Sequence, residues 1–217
     1  MSRKISIRRY DPEKDSEPRW VEYPAPEGER VTVLETLMHV YENLDSTLAF
    51  RFGCRFNKCG LCAVEVDGKP RMGCFTEIRD GMKIAPLSGM PVVRDLVIDR
   101  TAFFETLREL KIYIPEQESA SEPQTIREPE AHRNLAGCLE CLSCNATCPN
   151  YDFAKNSLAG PYVLVKLAQL HFDPRNTIDR RMQAKKLGVD KCAECGTCYC
   201  IHGIDIRRDA ISVLAGE

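Results

Sequence analysis

The sequence predicts an α+β protein in two parts, a strand-rich first half holding one helix and an all-helical second half. In the first half, apolar residues alternate with polar ones in short runs broken by Gly, Pro and Asp, the pattern of half-buried strands. In the second half they recur at helical spacing over longer stretches. The twelve cysteines fall into three groups of four, one in the first half and two in the second, so each half is organised around cysteine-rich loops.

Taken in order, Ile5 and Ile7 alternate with polar neighbours and mark a first strand, and residues 19–23 mark a second. Thr32 stands three residues before Glu35, the capping-box arrangement, and opens a helix with Leu34, Leu37, Met38 and Tyr41 on its apolar face. The run Ala63-Val64-Glu65-Val66 alternates into Asp67-Gly68, a two-residue hairpin turn. Residues 82–87 make another short strand. These elements fit a small mixed sheet that holds one helix and carries a metal loop on its edge. Residues 99–112, with Phe103, Phe104, Leu107 and Leu110, follow as a helix. Residues 115–129 are rich in Glu, Ser, Gln and Pro and lack apolar periodicity, so they read as a linker in which Glu116-Gln117-Glu118 is solvated. Gly160-Pro161 opens a helix whose residues Tyr162, Val163, Leu164, Val165, Leu167, Ala168 and Leu170 are apolar nearly all round, which predicts burial. Residues 176–187, ended by Gly188, and residues 207–214 complete the helical half.

The 217 residues are 43% hydrophobic and 29% charged, with a net charge of −2. That balance is ordinary for a soluble chain and gives no general attraction to nucleic acid or to an anionic membrane. The opening residues, with their Arg8-Arg9 pair, lack the apolar core of a signal peptide. No run approaches the roughly 20 apolar residues that span a bilayer. The expectation is a cytoplasmic chain, soluble or peripheral on the inner face of the cytoplasmic membrane, in a compartment where thiols stay reduced.

Within the first cysteine group, Cys54, Cys59, Cys62 and Cys74 have the spacing C-x4-C-x2-C with a distant fourth member, the plant-type pattern for a [2Fe–2S] cluster. Gly53, Gly60 and Gly73 leave the backbone free to turn its N–H groups toward sulfur. In the second group, Cys138, Cys141, Cys144 and Cys148 form C-x2-C-x2-C-x3-C-P, the bacterial two-cluster run in which the fourth cysteine serves the other cluster. The third, Cys192, Cys195, Cys198 and Cys200, is a contracted copy in which only Tyr199 separates the last two cysteines. Exchange of the last members assigns Cys138, Cys141, Cys144 and Cys200 to one [4Fe–4S] cluster and Cys148, Cys192, Cys195 and Cys198 to another, [4Fe–4S] or [3Fe–4S]. Structural zinc also takes four thiolates and is the competing occupant, in a non-redox interaction module, but the x3-C-P ending has no zinc rationale. No Gly-rich dinucleotide or phosphate loop is present, so the chain has no catalytic residues or substrate site of its own by this reading. His39, His132, His171 and His202 are scattered, and only His202 lies beside a cysteine, Cys200.

A plant-type followed by a bacterial-type cysteine pattern resembles the iron–sulfur subunit of the succinate dehydrogenase/fumarate reductase family. The resemblance runs through Arg9-Tyr10-Asp11-Pro12, Phe52-Gly53-Cys54-Arg55, Cys59-Gly60, Pro86-Leu87 and the segment from Pro91 to Val97. It continues through Cys138 to Pro149, Gly160-Pro161 and Gly203-Ile204-Asp205-Ile206. It implies a plant-type [2Fe–2S] ferredoxin (β-grasp) domain over residues 1–105, and an all-helical bacterial-type two-cluster ferredoxin domain over 106–217, with the linker at about 113–130. It also implies an FAD-containing flavoprotein partner acting on a dicarboxylate. A membrane anchor with quinone, or a thiol/disulfide-type or soluble acceptor, would stand at the far end of the relay. Relatives with a [3Fe–4S] centre lack the cysteine that Cys195 supplies here. Quinone-reacting relatives carry tryptophan shortly after the central Cys-Pro, whereas this chain has Asn150-Tyr151-Asp152-Phe153 and its only tryptophan is Trp20. Asn57 stands where relatives often have glycine, and asparagine tolerates a left-handed backbone.

Overall fold

The computed structural model describes residues 3–114, 128–152 and 160–216; residues 115–127, with the acidic run of the expected linker, and Phe153 lie outside the described residues. The chain divides into two compact units. One comprises Met1–Asp99 with Leu139–Thr147, the other Arg100–Cys138 with Cys148–Glu217.

The first unit is built on a five-stranded mixed sheet of β1 (Lys4–Arg9), β2 (Arg19–Pro24), β3 (Ala63–Val66), β4 (Lys69–Met72) and β5 (Met82–Ala85), in the order β2-β1-β5-β3-β4. The pair β1–β5 is parallel and the other neighbours are antiparallel. Asp67 and Gly68 both have positive φ, 51° and 75°, the backbone a two-residue hairpin between β3 and β4 demands. β5 stops before Pro86, which has no N–H to extend the ladder, so the strand expected over 82–87 is shorter.

Helix α1 (Val33–His39) starts at Thr32 with the expected capping box: the Thr32 hydroxyl accepts the Glu35 N–H at 3.2 Å, and the Glu35 carboxylate accepts the Thr32 N–H at 2.8 Å. It runs on as one π-helical turn, Val40–Leu44. Its core face is Val33, Leu34, Leu37 and Val40, and most of it joins Ile5, Ile7, Val64, Val66 and Ile84 in one apolar cluster. Tyr41, expected on this face, is exposed and meets Phe50 edge-on, because the π turn rotates it out of register. Two short strands, β6 (Val92–Arg94) and β7 (Val97–Ile98), pair outside the main sheet and were not legible as strands.

A buried polar network sits at the end of β1. Arg9 donates to Asp95 at 2.9 Å, Asp45 at 2.5 Å, the Tyr23 hydroxyl at 2.5 Å and the Thr47 hydroxyl at 2.9 Å. Asp95, 2% exposed, also accepts the Tyr10 and Ala49 N–H groups. Burial works against the Arg9 charge, but the Asp95 and Asp45 hydrogen bonds outweigh it and hold the guanidinium above its usual range.

The described residues of the second unit form helices: α2 (Thr101–Glu109), α3 (Glu130–Ala136), α5 (Gly160–His171), α6 (Arg180–Lys186), α7 (Val189–Cys195), a π-helical turn Arg207–Ser212 and α8 (Val213–Ala215). Between them in sequence, the short α4 (Ser143–Ala146) belongs to the first unit. As its composition requires, α5 is the buried centre, packed by α3, α6, α8 and the π turn. The helix expected over 99–112 is shorter, closing at Lys111 in a left-handed conformation. The one expected from 176 begins at Arg180, because Asp179 caps it through the Met182 N–H at 2.9 Å while the Asn176 amide bonds the Ile178 carbonyl. Arg180, 1% exposed, clamps the end of α2 by donating to the carbonyls of Leu110, Lys111 and Tyr113. Phe103 stacks on Tyr151 and meets Tyr162 edge-on.

Candidate iron–sulfur centres

The first cysteine group lies in the loop before β3 and the turn after β4, where the backbone converges on sulfur. Cys54 Sγ accepts the N–H groups of Phe56 (3.4 Å), Lys58 (3.2 Å) and Cys59 (3.3 Å). Cys59 Sγ accepts from Cys54 N–H at 3.4 Å, Cys74 Sγ from Asn57 N–H at 3.3 Å, and Cys62 Sγ from Cys74 N–H at 3.5 Å. The N–H···S bonds thus pair Cys54 with Cys59 and Cys62 with Cys74, and the Asn57 N–H joins the second pair to the loop that carries the first. The loop turns inward through left-handed residues Arg55 (φ 66°), Asn57 (φ 57°) and Gly60 (φ 72°). Asn57 adopts the conformation expected of it. Gly53 acts differently from expectation, by leaving space: a Cβ there would stand 3.3 Å from Cys59 Sγ.

The loop is anchored from below. Gly73 donates to the Cys62 carbonyl at 2.9 Å, and the carbonyls of Gly73 and Thr76 accept the first free N–H groups of α1, from Leu34 at 2.9 Å and Val33 at 2.8 Å. Gly60 is buried, and a Cβ on it would fall 2.0 Å from the Leu139 carbonyl oxygen and 3.2 Å from Cys141 Cβ. The Cys59-Gly60 turn therefore rests directly on the segment carrying Cys141. The N–H bonds, that from Phe56 foremost, draw the Cys54 thiol down to about 7, whereas burial pushes Cys62 up to about 12.

Cys141 and Cys144 flank and occupy α4, entered through left-handed Glu140 and Leu142; the Cys141 thiol lies 3.3 Å from the Ser143 hydroxyl. Cys138 follows α3, and its N–H bonds the Leu135 carbonyl at 3.0 Å. Cys200 Sγ accepts the backbone N–H of His202 at 3.4 Å.

Cys192 and Cys195 sit on α7 and Cys198 follows it. Burial raises the Cys192 and Cys198 thiols to about 11, and each also feels Cys148 and Cys195, which puts these four sulfurs in one electrostatic neighbourhood. Cys195 is the exception. The Thr197 hydroxyl lies 3.0 Å from its sulfur and the Asn150 amide donates to it at 3.3 Å. The Thr197 contact first, then the amide and the charge of Arg207, lower this thiol. Sequence reasoning missed Asn150, Thr197 and Arg207; the one signal for them was an amide directly after Cys148-Pro149. Among the described residues, no three His, Cys, Asp or Glu side chains are gathered as ligands of a single metal ion.

The strand-and-helix unit with its sulfur-directed loop defines an iron–sulfur-binding protein, and residues 4–105 match the family described as "2Fe-2S iron-sulfur cluster binding domain". The fumarate reductase iron–sulfur subunit of Escherichia coli O6:H1 is 31% identical over 90% of this chain and 84% of its own length. A subunit of the fumarate reductase (CoM/CoB) of Methanothermobacter marburgensis is 32% identical over 97% of this chain and 43% of its own. A chain of the Mycobacterium smegmatis Sdh1 complex in the apo form superposes with a TM-score of 0.82 at 26% identity, over 98% of this chain and 93% of that one. The chain belongs to the succinate dehydrogenase/fumarate reductase iron–sulfur subunit family. It spans between 39% and 43% of the length of the Methanocaldococcus, Methanothermobacter and Methanococcus proteins it matches.

Proposed function

We propose that this chain is the electron-transfer subunit of a flavin-dependent oxidoreductase of the succinate dehydrogenase/fumarate reductase type. The observation that carries the reading is that the sulfurs of Cys54, Cys59, Cys62 and Cys74 all accept backbone N–H groups, since hydrogen bonds to sulfur suit thiolates that carry cluster charge. Those residues hold the [2Fe–2S] cluster in this proposal. Cys138, Cys141, Cys144 and Cys200 hold a [4Fe–4S] cluster on the strength of their spacing. Cys148, Cys192, Cys195 and Cys198 hold the third, which the extra cysteine at 195 makes [4Fe–4S] rather than [3Fe–4S]. When bound, such clusters supply one-electron carriers. The chain's own part is to fix the thiolates, direct N–H dipoles at them and keep the carriers in sequence.

The finer architecture follows the same reading: a plant-type, β-grasp ferredoxin domain over residues 1–105 and a helical two-cluster domain over 106–217. The partner at one end is a flavoprotein carrying FAD. At the other end a non-quinone acceptor is favoured over quinone, by two facts. The tryptophan expected after the central Cys-Pro is replaced by Asn150-Tyr151. A relative covering 97% of this chain carries CoM/CoB in its name. Among the described residues no helix is long and apolar enough to cross a membrane.

The test is anaerobic purification with the partner subunits, followed by iron and acid-labile sulfide analysis and EPR of oxidised and dithionite-reduced samples. About ten irons per chain and no oxidised [3Fe–4S] signal are expected from one [2Fe–2S] and two [4Fe–4S] clusters. A [3Fe–4S] signal would return the quinone-type centre, and zinc in place of iron would end the electron-transfer reading.

A further inference from the structure

We infer that Asn150, Thr197 and Arg207 set the reduction potential of the third cluster, raising it by stabilising the charge that an added electron leaves on the Cys195 sulfur. The inference rests on the ligand set Cys148, Cys192, Cys195 and Cys198 proposed above. Two donors reach that sulfur, and a cation stands against the next residue. The Asn150 Nδ2 amide donates at 3.3 Å, from a residue 45 positions away. The Thr197 hydroxyl lies at 3.0 Å, and against a metal-bound thiolate, which has no proton, it can only donate. The third group is a cation. Gly196, left-handed at φ 67°, leaves the space Arg207 occupies: a Cβ there would fall 2.4 Å from the guanidinium Nη1. Arg207 thereby packs against the end of α7 at Gly196, the residue that follows Cys195.

The arrangement is selective. Cys192 is buried, whereas the polar donors are directed to the less buried Cys195. Hydrogen bonds to cluster sulfur and nearby positive charge favour the reduced, more negative state. The electron enters without a proton and no bond is made or broken, so the donors need only be in place. Cys195 is also the cysteine that distinguishes this chain from [3Fe–4S] relatives, so the three residues act at the position where the third centre departs from them.

The experiment is an EPR-monitored redox titration of the holoprotein with dithionite as reductant. The variants are Asn150→Leu, Thr197→Val and Arg207→Gln, with Thr197→Ser as the conservative form. Each of the first three is expected to lower the midpoint of the third cluster while leaving the [2Fe–2S] midpoint in place, and Thr197→Ser is expected to restore the parent value. Unchanged or raised midpoints at parental iron content overturn the inference. Should Thr197→Val lose iron, Asn150→Leu and Arg207→Gln, both outside the α7 cysteine loop, decide the matter. Cys195→Ser separates the two levels: if it alters no EPR signal and no iron content, the ligand assignment fails, and not the tuning alone.

Discussion

Replacing Gly60 by alanine places a methyl carbon 2.0 Å from the Leu139 carbonyl oxygen, where about 3.3 Å is an ordinary carbon–oxygen contact. The cysteine turn and the Leu139 strip must then separate by roughly 1.3 Å, or distort. Overpacking of a closed contact costs about 1–3 kcal/mol. Holding alanine at φ 72° adds roughly 1–2 kcal/mol. Together these give a loss of about 2–5 kcal/mol, which for a chain of this size lowers the unfolding temperature by of the order of 10 °C. The structure supplies its own control. Gly68 has nearly the same backbone, φ 75°, but nothing lies within 4 Å of its missing Cβ, so Gly68→Ala should show the conformational cost alone. The assay is anaerobic heating of the holoprotein, followed by far-ultraviolet circular dichroism and bleaching of visible absorbance. Equal shifts in the two variants would refute the reasoning, because the Leu139 contact would then contribute nothing.

Other outcomes follow from the buried polar groups. Arg9→Met takes from Asp95, 2% exposed, its close ion pair and leaves only Arg94 at 3.9 Å, and should cost up to about 3–5 kcal/mol by denaturant titration, with part recovered in Arg9→Met/Asp95→Leu. The Thr47 hydroxyl, with help from Arg9 and Tyr23, holds Asp45 below the usual carboxylate range. Its folded-state pKa is therefore below its unfolded value of about 3.9, so its contribution is complete above that pH and disappears as pH falls below it. Asp45→Asn should flatten the acid limb of a stability–pH profile below about pH 4 while lowering stability at neutral pH. Arg180→Leu strips donors from three carbonyls near the end of α2 and should destabilise the helical unit by about 2–4 kcal/mol in urea unfolding. Arg180→Lys should not rescue it, since a point ammonium cannot reproduce the guanidinium fork.

Much of this was legible because it is local. The spacing of Cys54, Cys59 and Cys62, the Thr32–Glu35 box and the Asp67-Gly68 turn each rest on residues a few positions apart, and chemistry at that range is written in the sequence. Asn57 was placed in a left-handed turn by a different route, the resemblance to relatives that often have glycine there. What escaped is long-range or carried by the backbone. Arg9 and Asp95 are 86 residues apart and Asn150 and Cys195 are 45, and no periodicity links such pairs. The N–H donors of Phe56 and Lys58 leave no trace in side-chain identity, since any non-proline residue could supply them. Tyr41 was misjudged because a π turn shifts the helical phase at Val40, and α7 because cysteines in a metal motif read as loop rather than helix.

The first unit borrows Leu139–Thr147 from far down the chain, and this bears on the order in which the protein is made. When Asp99 leaves the ribosome, the sheet, α1 and all four cysteines of the first group are already available. The strip that covers Gly60, and whose Ala146 carbonyl accepts the Ser88 hydroxyl at 3.4 Å, is still about 40–50 residues away, a delay of several seconds at ordinary synthesis rates. During that interval the Cys59-Gly60 turn lacks the backbone that lies against it in the folded chain. A fragment ending at residue 105 would keep Cys54, Cys59, Cys62 and Cys74 but lack the strip that covers Gly60.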